Sequence, residues 1–380
     1  MRTRGIPLTP LTAALTCALV TLAASGGAPA GPPPPPHAVT LTSAGAAAVL
    51  ADDRTPFSML AVTAPAGGPD GPGGAYRVRA RQRGSGAWTP WTEVEAGEPW
   101  WAGPSDAVEV RAGRAGARLP AGLRLDLVDP GPGRAGAAEP AAYEGAGGPA
   151  SRPRIVPRAR WGATEDPAEP VVYGRDVRAV FVHHTAQSND YDCADSPAVV
   201  RGLQALHQRV NGWKDLGYNY VVDKCGTVFE GRAGGSGRPV TGAHTLGFNT
   251  GTLGVAVIGR YSDRQAPPGA VAAVARLAAW ALGRYGYDPA GTVTLSASLD
   301  NGRFKAGERV TVQRISGHRD VFSTECPGTA LHRQLPAVRK LATGPFGGLF
   351  GSSGPGRPGA ARTTRGRGTP RRRCSTPRSR

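Results

Sequence analysis

The first third of the chain alternates polar and apolar positions in short runs. Between about residues 38 and 130 these runs are separated by Gly, Pro or Asp, and they include AYRVRARQ, AWTPWTEV, AVEVRAG and LRLDLVD. A period of two between turn residues is typical of β-strands, so the pattern predicts a small all-β, sandwich-like domain. Two interpretations stay open for its clustered tryptophans, which would form a carbohydrate-binding platform or fill a small core and its rim. They are Trp88, Trp91, Trp100 and Trp101.

From residue 154 to residue 343 the pattern changes to strands mixed with longer helical segments. VRAVFVHHTA and GTLGVAVIG are typical of buried strands, NYVVDKCGTVFEGR of a hairpin, and GAVAAVARLAAWALGRYG of an apolar helix. DSPAVVRGLQALHQRVNGW predicts an amphipathic helix that is capped by Ser196, carries Pro197 at its first position and ends at Gly212. The polar stretch SASLDNGRFKAGERV predicts a hairpin or a loop. Together these segments predict an α/β domain with a mixed central β-sheet flanked by helices.

Three other segments have compositions that do not form a packed core. Residues 1–30 combine two arginines, an apolar run and a small-residue Ala-Pro-Ala end, which predicts a signal peptide and a secreted, extracellular or cell-wall-associated protein. Residues 131–153 have the composition of a flexible linker. Residues 346–380 contain nine arginines and no acidic residue, which predicts a disordered tail. No other stretch reaches the roughly twenty apolar residues that a membrane span needs, so no transmembrane segment is expected.

The net charge of +17 raises the question of a nucleic-acid partner. Nine of the excess positive charges lie in the tail at residues 346–380, and no segment of the two folded domains predicts a basic aromatic face. We therefore expect no nucleic-acid binding. For the tail, the alternatives are a solvated segment of no fixed role and attraction to an anionic wall polymer or membrane surface.

Four cysteines remain after the predicted signal peptide. Cys193 precedes the first helix and Cys225 lies in the turn of the hairpin after it, so a disulfide between them would join the helix to the hairpin. Cys374 lies in the tail and is a poor partner for a buried thiol. Cys326 is then left unpaired in a chain that is predicted to be exported.

The segment GHRDVFSTECPG places Cys326 near His318, and both residue types bind zinc. A catalytic zinc site needs a third protein ligand, and the tandem His183-His184 at the end of a predicted strand can supply one. Neighbouring side chains on a strand point to opposite faces, so only one of the two would face a cleft, and the spacing does not say which. The sequence has no His-Glu-x-x-His segment and no Gly-x-Ser-x-Gly segment.

Five ordered motifs carry a resemblance to a known family. RIVPRARWGA, VFVHHTA, GWKDLGYNYVVDKCGTVFEGR, GAHTLGFNTGTLGVAVIG and ISGHRDVFSTECPG occur in this order between about residues 154 and 341. Together they resemble the zinc amidases of the peptidoglycan recognition protein family, the type 2 amidases. The resemblance implies a mixed sheet flanked by helices and an N-acetylmuramoyl-L-alanine amidase, which cuts the amide between N-acetylmuramic acid and the peptide stem of peptidoglycan.

The resemblance also implies a set of site residues. It assigns Zn²⁺ as the cofactor and His183, His318 and Cys326 as its ligands. It assigns catalytic roles to Tyr218 and Thr324. His244 and Asn249 lie in matching segments but not at ligand positions, and we expect them to contribute to substrate binding.

A second function stays open at this point, that of a peptidoglycan recognition protein that binds muropeptides without hydrolysing them. Some members of the family lack the ligand cysteine and only bind peptidoglycan, so the presence of Cys326 favours catalysis. The choice between lysine and diaminopimelate in the stem is not decided, because the stretch after Glu230-Gly231-Arg232 departs from the pattern of animal members.

Overall fold

Two sheets organise the computed structural model, which describes residues 37–42, 48–51, 55–65, 75–114, 116–131, 151–164 and 170–344. The predicted signal peptide, most of the predicted linker and the Arg-rich tail lie outside the described residues. The first sheet is antiparallel, with the order β1-β7-β3-β6-β4-β5 and with β2 paired to β6. Its described strands are β1 (His37–Thr42), β2 (Ala48–Ala51), β3 (Phe57–Thr63), β4 (Ala75–Gln82), β5 (Thr92–Glu95), β6 (Pro99–Ala112) and β7 (Arg124–Asp129).

The four tryptophans of the first domain take three different positions. Trp100 is buried in the core of this domain, whereas Trp101 is buried against the second domain. Trp88 and Trp91 lie partly exposed, and the Arg79 guanidinium lies 4.8 Å from the ring centre of each. Because Arg77 and Arg111 also lie over Trp91, this surface is both basic and aromatic.

The sequence argument expected no basic aromatic face in the folded domains, and this surface shows that the expectation is wrong. The reason lies in the strand alternation, which brings arginines from β4 and β6 to the same side as the two tryptophans. Glu109 forms ion pairs with Arg79 and Arg111 and offsets part of the charge. The expected absence of a nucleic-acid partner stays a prediction.

The second sheet is mixed and has the order β15-β9-β12-β10-β11-β8. Its central strands β9 and β12 are buried along their whole length, as expected for parallel strands that are covered on both faces. A separate antiparallel hairpin of β13 and β14 contains the polar stretch that was predicted to be a hairpin or a loop. The strands are β8 (Ile155–Val156), β9 (Ala179–His184), β10 (Tyr220–Val222), β11 (Val228–Glu230), β12 (Thr252–Val257), β13 (Thr292–Ser296), β14 (Arg309–Gln313) and β15 (Ile315–Gly317).

Helices cover both faces of the second sheet, which confirms the predicted fold class. They are α1 (Arg158–Trp161), α2 (Ser196–Ala205), α3 (Pro268–Gly283) and α4 (Thr329–Thr343). The prediction that Ser196 caps α2 is wrong. A 3₁₀ turn, Cys193–Asp195, precedes the helix, and the Ser196 hydroxyl donates instead to Asp223 Oδ2 at 2.9 Å. A π-helical turn, Leu206–Val210, continues α2 towards Gly212.

The two domains share an apolar core. Met59 of β3 packs against Gly202 of α2, where a Cβ atom would come within 3.1 Å of the Met59 side chain. The Arg201 guanidinium donates to the carbonyl oxygens of Pro130 and Trp161, and so joins the end of the first domain to the second. The first domain is therefore fixed against α2 rather than merely tethered to it.

The predicted disulfide is present between Cys193 and Cys225, whose Cα atoms lie 6.3 Å apart. It joins the turn before α2 to the loop between β10 and β11, as the sequence predicted. Asp223 supports the same loop, because its Oδ1 accepts hydrogen bonds from the backbone N–H groups of Cys225 and Thr227.

Among the described residues, no helix has both the length and the apolar character needed to cross a membrane.

Candidate metal centre

Two parallel strands bring the first two candidate ligands together. His183 lies at the carboxyl end of β9, and His318 follows directly after β15, which pairs with β9 through Gly317 and Val182. The carboxyl ends of neighbouring parallel strands meet at one edge of a sheet, so the two imidazoles converge there. Their ring centres lie 4.5 Å apart, and Phe322 stacks on the outer side of His318 at 5.1 Å.

A tight turn returns the chain from His318 to Cys326. The Arg319 N–H donates to the Cys326 carbonyl oxygen at 2.9 Å, and the Cys326 N–H donates to Thr324 Oγ1 at 3.2 Å. Gly328 closes the turn with a φ of +85°, and a Cβ atom there would lie 2.3 Å from the backbone of Tyr261. Glycine is needed at this position for both reasons. The turn places Cys326 Sγ 3.6 Å from His183 Nδ1.

The donor set of this cluster suits a zinc ion. One ligand atom from each of His183, His318 and Cys326 lies within 4.8 Å of the others. Two imidazole nitrogens and one thiolate match the three-ligand sets of catalytic zinc sites. His318 Nε2 is buried and has no hydrogen-bond partner among the described residues, which is costly for a polar atom unless it binds something. The cluster therefore fits a metal ion by chemistry and by geometry.

Burial sets the protonation of the three groups. It lowers the pKa of His318 to about 4, and it lowers the pKa of His183 well below the usual value, with further lowering by the neighbouring His318 and His244. Both imidazoles are therefore neutral at pH 7, which is the form that binds metals. Burial likewise raises the pKa of the Cys326 thiol to about 12, and the carboxylate of Glu98 contributes to that rise. A cation held among these groups would reverse this preference and favour the thiolate.

His244 lies within hydrogen-bond distance of the second ring nitrogen of His183. Its Nδ1 lies 3.2 Å from His183 Nε2, and its Nε2 lies 3.5 Å from Thr252 Oγ1. Gly254 makes room for this ring, since a Cβ atom there would come within 2.3 Å of it. Asn249 fixes the backbone of the same loop, because its Oδ1 accepts from the N–H groups of His244 and Thr245. The roles of His244 and Asn249 in substrate binding stay predictions.

The contact between His183 and His244 did not follow from the sequence, because 61 positions separate the two residues. The sequence nevertheless contained a signal for this contact. A glycine inside an otherwise apolar strand, such as Gly254 in GTLGVAVIG, often marks a close approach by another group.

We expect His244→Leu to weaken zinc binding by about 10- to 100-fold, because partners that orient a ligand histidine typically contribute that much. His244→Gln keeps an amide near His183 and should recover part of the loss. Both values are measured as zinc dissociation constants by competition with a chromophoric chelator, after circular dichroism has verified the fold. Equal affinities for the wild type and the Leu variant would show that His244 does not support His183.

Tyr218 and Thr324 each lie next to one of the candidate ligands. The Tyr218 ring is partly buried, with its centre 5.2 Å from that of His183 and 5.6 Å from that of His207. Burial raises the pKa of the Tyr218 phenol, and the nearby Cys326 raises it further. The phenol therefore stays protonated and can donate a hydrogen bond at neutral pH. Thr324 Oγ1 accepts from the Cys326 N–H, which leaves its own O–H free to donate elsewhere.

The other histidines serve the fold around the centre. His184 points away from His183, and its Nδ1 accepts from the Tyr261 N–H at 3.2 Å, so His183 is the member of the tandem pair that faces the cluster. His332 Nε2 lies 2.9 Å from Asp320 Oδ1, and the other oxygen of Asp320 accepts from the Gly317 N–H. Asp320 thus fixes the backbone where β15 ends and His318 begins.

Comparisons with known proteins agree with the fold and with this cluster. Residues 173–329 match the family model described as N-acetylmuramoyl-L-alanine amidase, and residues 24–144 match the model described as Rv3811 N-terminal galactose-binding domain-like. The second domain is similar to the N-acetylmuramoyl-L-alanine amidase family over residues 173–329, which confirms the resemblance to type 2 amidases and peptidoglycan recognition proteins.

Individual proteins are similar to the second domain. The human N-acetylmuramoyl-L-alanine amidase is 34% identical over 182 residues, which cover 47% of this chain and 27% of the human protein. Peptidoglycan-recognition protein SC1a/b of Drosophila simulans is 28% identical over 181 residues, which cover 48% of this chain and 83% of that protein. The structure of wild-type Drosophila PGRP-LB aligns with 26% identity and a TM-score of 0.39, over 48% of this chain and 93% of the other. These sequence matches support a peptidoglycan amidase or peptidoglycan recognition function.

Proposed function

We propose that this protein is a secreted zinc-dependent N-acetylmuramoyl-L-alanine amidase, which hydrolyses the amide between N-acetylmuramic acid and L-alanine in peptidoglycan. The observation that carries the proposal is the cluster of His183, His318 and Cys326, whose ligand atoms lie within 4.8 Å of one another at one edge of the sheet. Non-catalytic recognition of peptidoglycan would not require this set of metal ligands. Secretion rests on the predicted signal peptide at residues 1–30.

The two imidazoles and the thiol would hold the zinc. A bound zinc ion supplies Lewis-acid chemistry, since it lowers the pKa of a coordinated water towards neutrality and polarises a carbonyl group. His244 and Thr324 support the ligands, because the first contacts the free nitrogen of His183 and the second accepts from the backbone N–H of Cys326. The chain therefore keeps the ligands fixed before substrate arrives, which lowers the cost of reorganisation during the reaction.

Tyr218 is the proposed donor to the substrate carbonyl oxygen. Its phenol is protonated at neutral pH and lies next to the metal ligand His183. A hydrogen bond from this hydroxyl would strengthen as negative charge develops on the oxygen, which is how an oxyanion donor accelerates acyl transfer. The Thr324 O–H is the proposed donor on the side of Cys326, close to where the leaving amine would depart.

The proposal is tested by incubating the purified protein with peptidoglycan and measuring free stem peptides that begin with L-alanine. The assay is run with the protein as purified, after a chelator, and after zinc is restored. Release that the chelator abolishes and zinc restores would support the amidase. Binding to peptidoglycan without release, unaffected by the chelator, would instead favour a recognition protein.

Tyr218→Phe should lower kcat by about 100- to 1000-fold, because removing one oxyanion donor typically costs this much. Zinc content should be unchanged, since the phenol is not among the proposed ligands. Tyr285→Phe is the matched control, because Tyr285 packs against the core beneath α3 and not against the cluster. Wild-type kcat in the Tyr218 variant would remove this residue from the catalytic step.

A further inference from the structure

The first domain reaches the second close to the metal centre. The turn between β5 and β6 carries Glu98, and Arg260, which lies shortly after β12, forms ion pairs with both Glu95 and Glu98. The distance from Arg260 Nη1 to Glu98 Oε2 is 3.4 Å. Glu98 also lines the same cavity as Ala186, which lies three positions after the candidate ligand His183. A carboxylate of the first domain therefore lies in the neighbourhood of the candidate metal ligands.

A cavity of about 150 Å³ lies at this junction. Its walls come from both domains, with the turn after β5 on one side and the segment that follows β9 on the other. Ala186 in that segment has a φ of +60°, the only positive φ of a non-glycine residue among those described. Such a conformation costs free energy and is often kept where a side chain must be aimed at a site. The polar and aromatic groups at the wall are Thr92, Glu93, Glu98, Trp100, Gln187, Ser188, Asn189 and Arg260.

Gln187 is the clearest sign that this cavity binds something. Its side chain is 1% exposed, yet neither its amide oxygen nor its amide nitrogen has a hydrogen-bond partner in the described part of the chain. Glu98 Oε2 is also buried there, and its ion pair with Arg260 Nη1 at 3.4 Å does not have the geometry of a hydrogen bond. Buried polar atoms are nearly always partnered, so two such groups at one cavity call for a partner.

Asn189 and Arg260, two other polar groups at the wall, are already engaged. Asn189 donates to the Arg260 carbonyl oxygen at 2.9 Å and accepts from the Arg260 N–H at 3.0 Å. The charge of Arg260 is offset by Glu95 and Glu98. Among the buried polar atoms at the wall, those without a hydrogen bond are the two of the Gln187 primary amide, which offers both a donor and an acceptor, and one carboxyl oxygen of Glu98. A primary amide is complementary to another neutral amide.

We propose that this interdomain cavity is a substrate subsite that binds a neutral amide group of peptidoglycan, with Gln187 and Glu98 as its hydrogen-bonding residues. The amide is either an acetamido group of the sugar or a carboxamide of the stem peptide, and each is small enough for the cavity. This inference rests on the proposed function. It gives the first domain a direct part in substrate binding.

The test measures binding and turnover of soluble muropeptides in matched pairs. One pair differs by an acetamido group against a free amine on the sugar, and the other by a carboxamide against a carboxylate on the peptide. The wild type should bind the amide-bearing member of one pair about tenfold more tightly, as expected for hydrogen bonds of ordinary net strength. The pair that shows this preference identifies the source of the amide.

Gln187→Met keeps the side-chain length and removes both hydrogen-bonding atoms. It should abolish the preference for the amide-bearing substrate. It should also raise KM for that substrate by a larger factor than it lowers kcat. Glu98→Ala changes the wall of the same cavity that belongs to the first domain, and it should reduce the same preference. It therefore provides the test if the Gln187→Met variant does not fold. Gln208→Met is the matched control and should behave as the wild type, because Gln208 lies in the π-helical turn after α2 and donates to the Lys214 carbonyl oxygen.

The outcomes separate this inference from the proposed function. Turnover with no preference in the wild type, or an unchanged preference in both cavity variants, would overturn the subsite and leave a cavity that holds only water. Binding with the preference but without turnover would support the subsite and overturn the amidase. The absence of both binding and turnover would overturn both.

Discussion

Cys326→Ala is expected to lose its zinc on dialysis and to lower amidase activity by more than about 100-fold. Partners that only orient a metal ligand contribute about 10- to 100-fold, so removing a ligand itself should cost more. The two remaining imidazoles, His183 and His318, would hold the ion too weakly to retain it. Bound zinc is measured by elemental analysis after dialysis, and activity by the release of stem peptide.

Ser323→Ala is the control for this variant. Ser323 is exposed in the same turn and lies outside the metal cluster. The zinc content and the activity of the Ser323→Ala variant should therefore match those of the wild type. The disulfide between Cys193 and Cys225 should remain intact in both variants, as verified by mass spectrometry. A Cys326→Ala protein that kept full activity after dialysis would show that Cys326 is not a ligand.

Replacing both Cys193 and Cys225 with alanine should lower the free energy of unfolding by about 3–4 kcal/mol. The bond closes a loop between residues 32 positions apart, and the chain-entropy model assigns this much to a loop of that size. The stability is measured by urea denaturation followed by fluorescence. Reductant should lower the midpoint of the wild type towards that of the double variant and leave the double variant unchanged. A double variant as stable as the wild type would mean that the loop is already ordered without the bond.

The periodic patterns of the sequence predicted most of the fold. Period-two alternation is a local property, and the strands of the first domain followed from it. The buried runs around Val182 and Val255 likewise predicted β9 and β12, because central parallel strands are apolar on both faces. The prediction failed at Ser196, which was expected to cap α2 from local sequence alone. In the folded chain its hydroxyl donates a hydrogen bond to Asp223, a residue distant in sequence.

The candidate site could be predicted only in part. Ordered motifs indicated His183, His318 and Cys326, and the structure brings these three together. The supporting contacts depend on tertiary packing, which no local pattern encodes. His244 reaches His183 across neighbouring strands, and Glu98 arrives from the other domain.

The packing of Met59 against Gly202 also bears on how such a protein can change during evolution. A recombination event that exchanged the first domain for an unrelated one would leave the apolar face of α2 without its complement, and it would remove the carbonyl group that Arg201 binds at Pro130. The two domains are therefore expected to be inherited together, and substitutions on one side of their contact should be accompanied by compensating substitutions on the other.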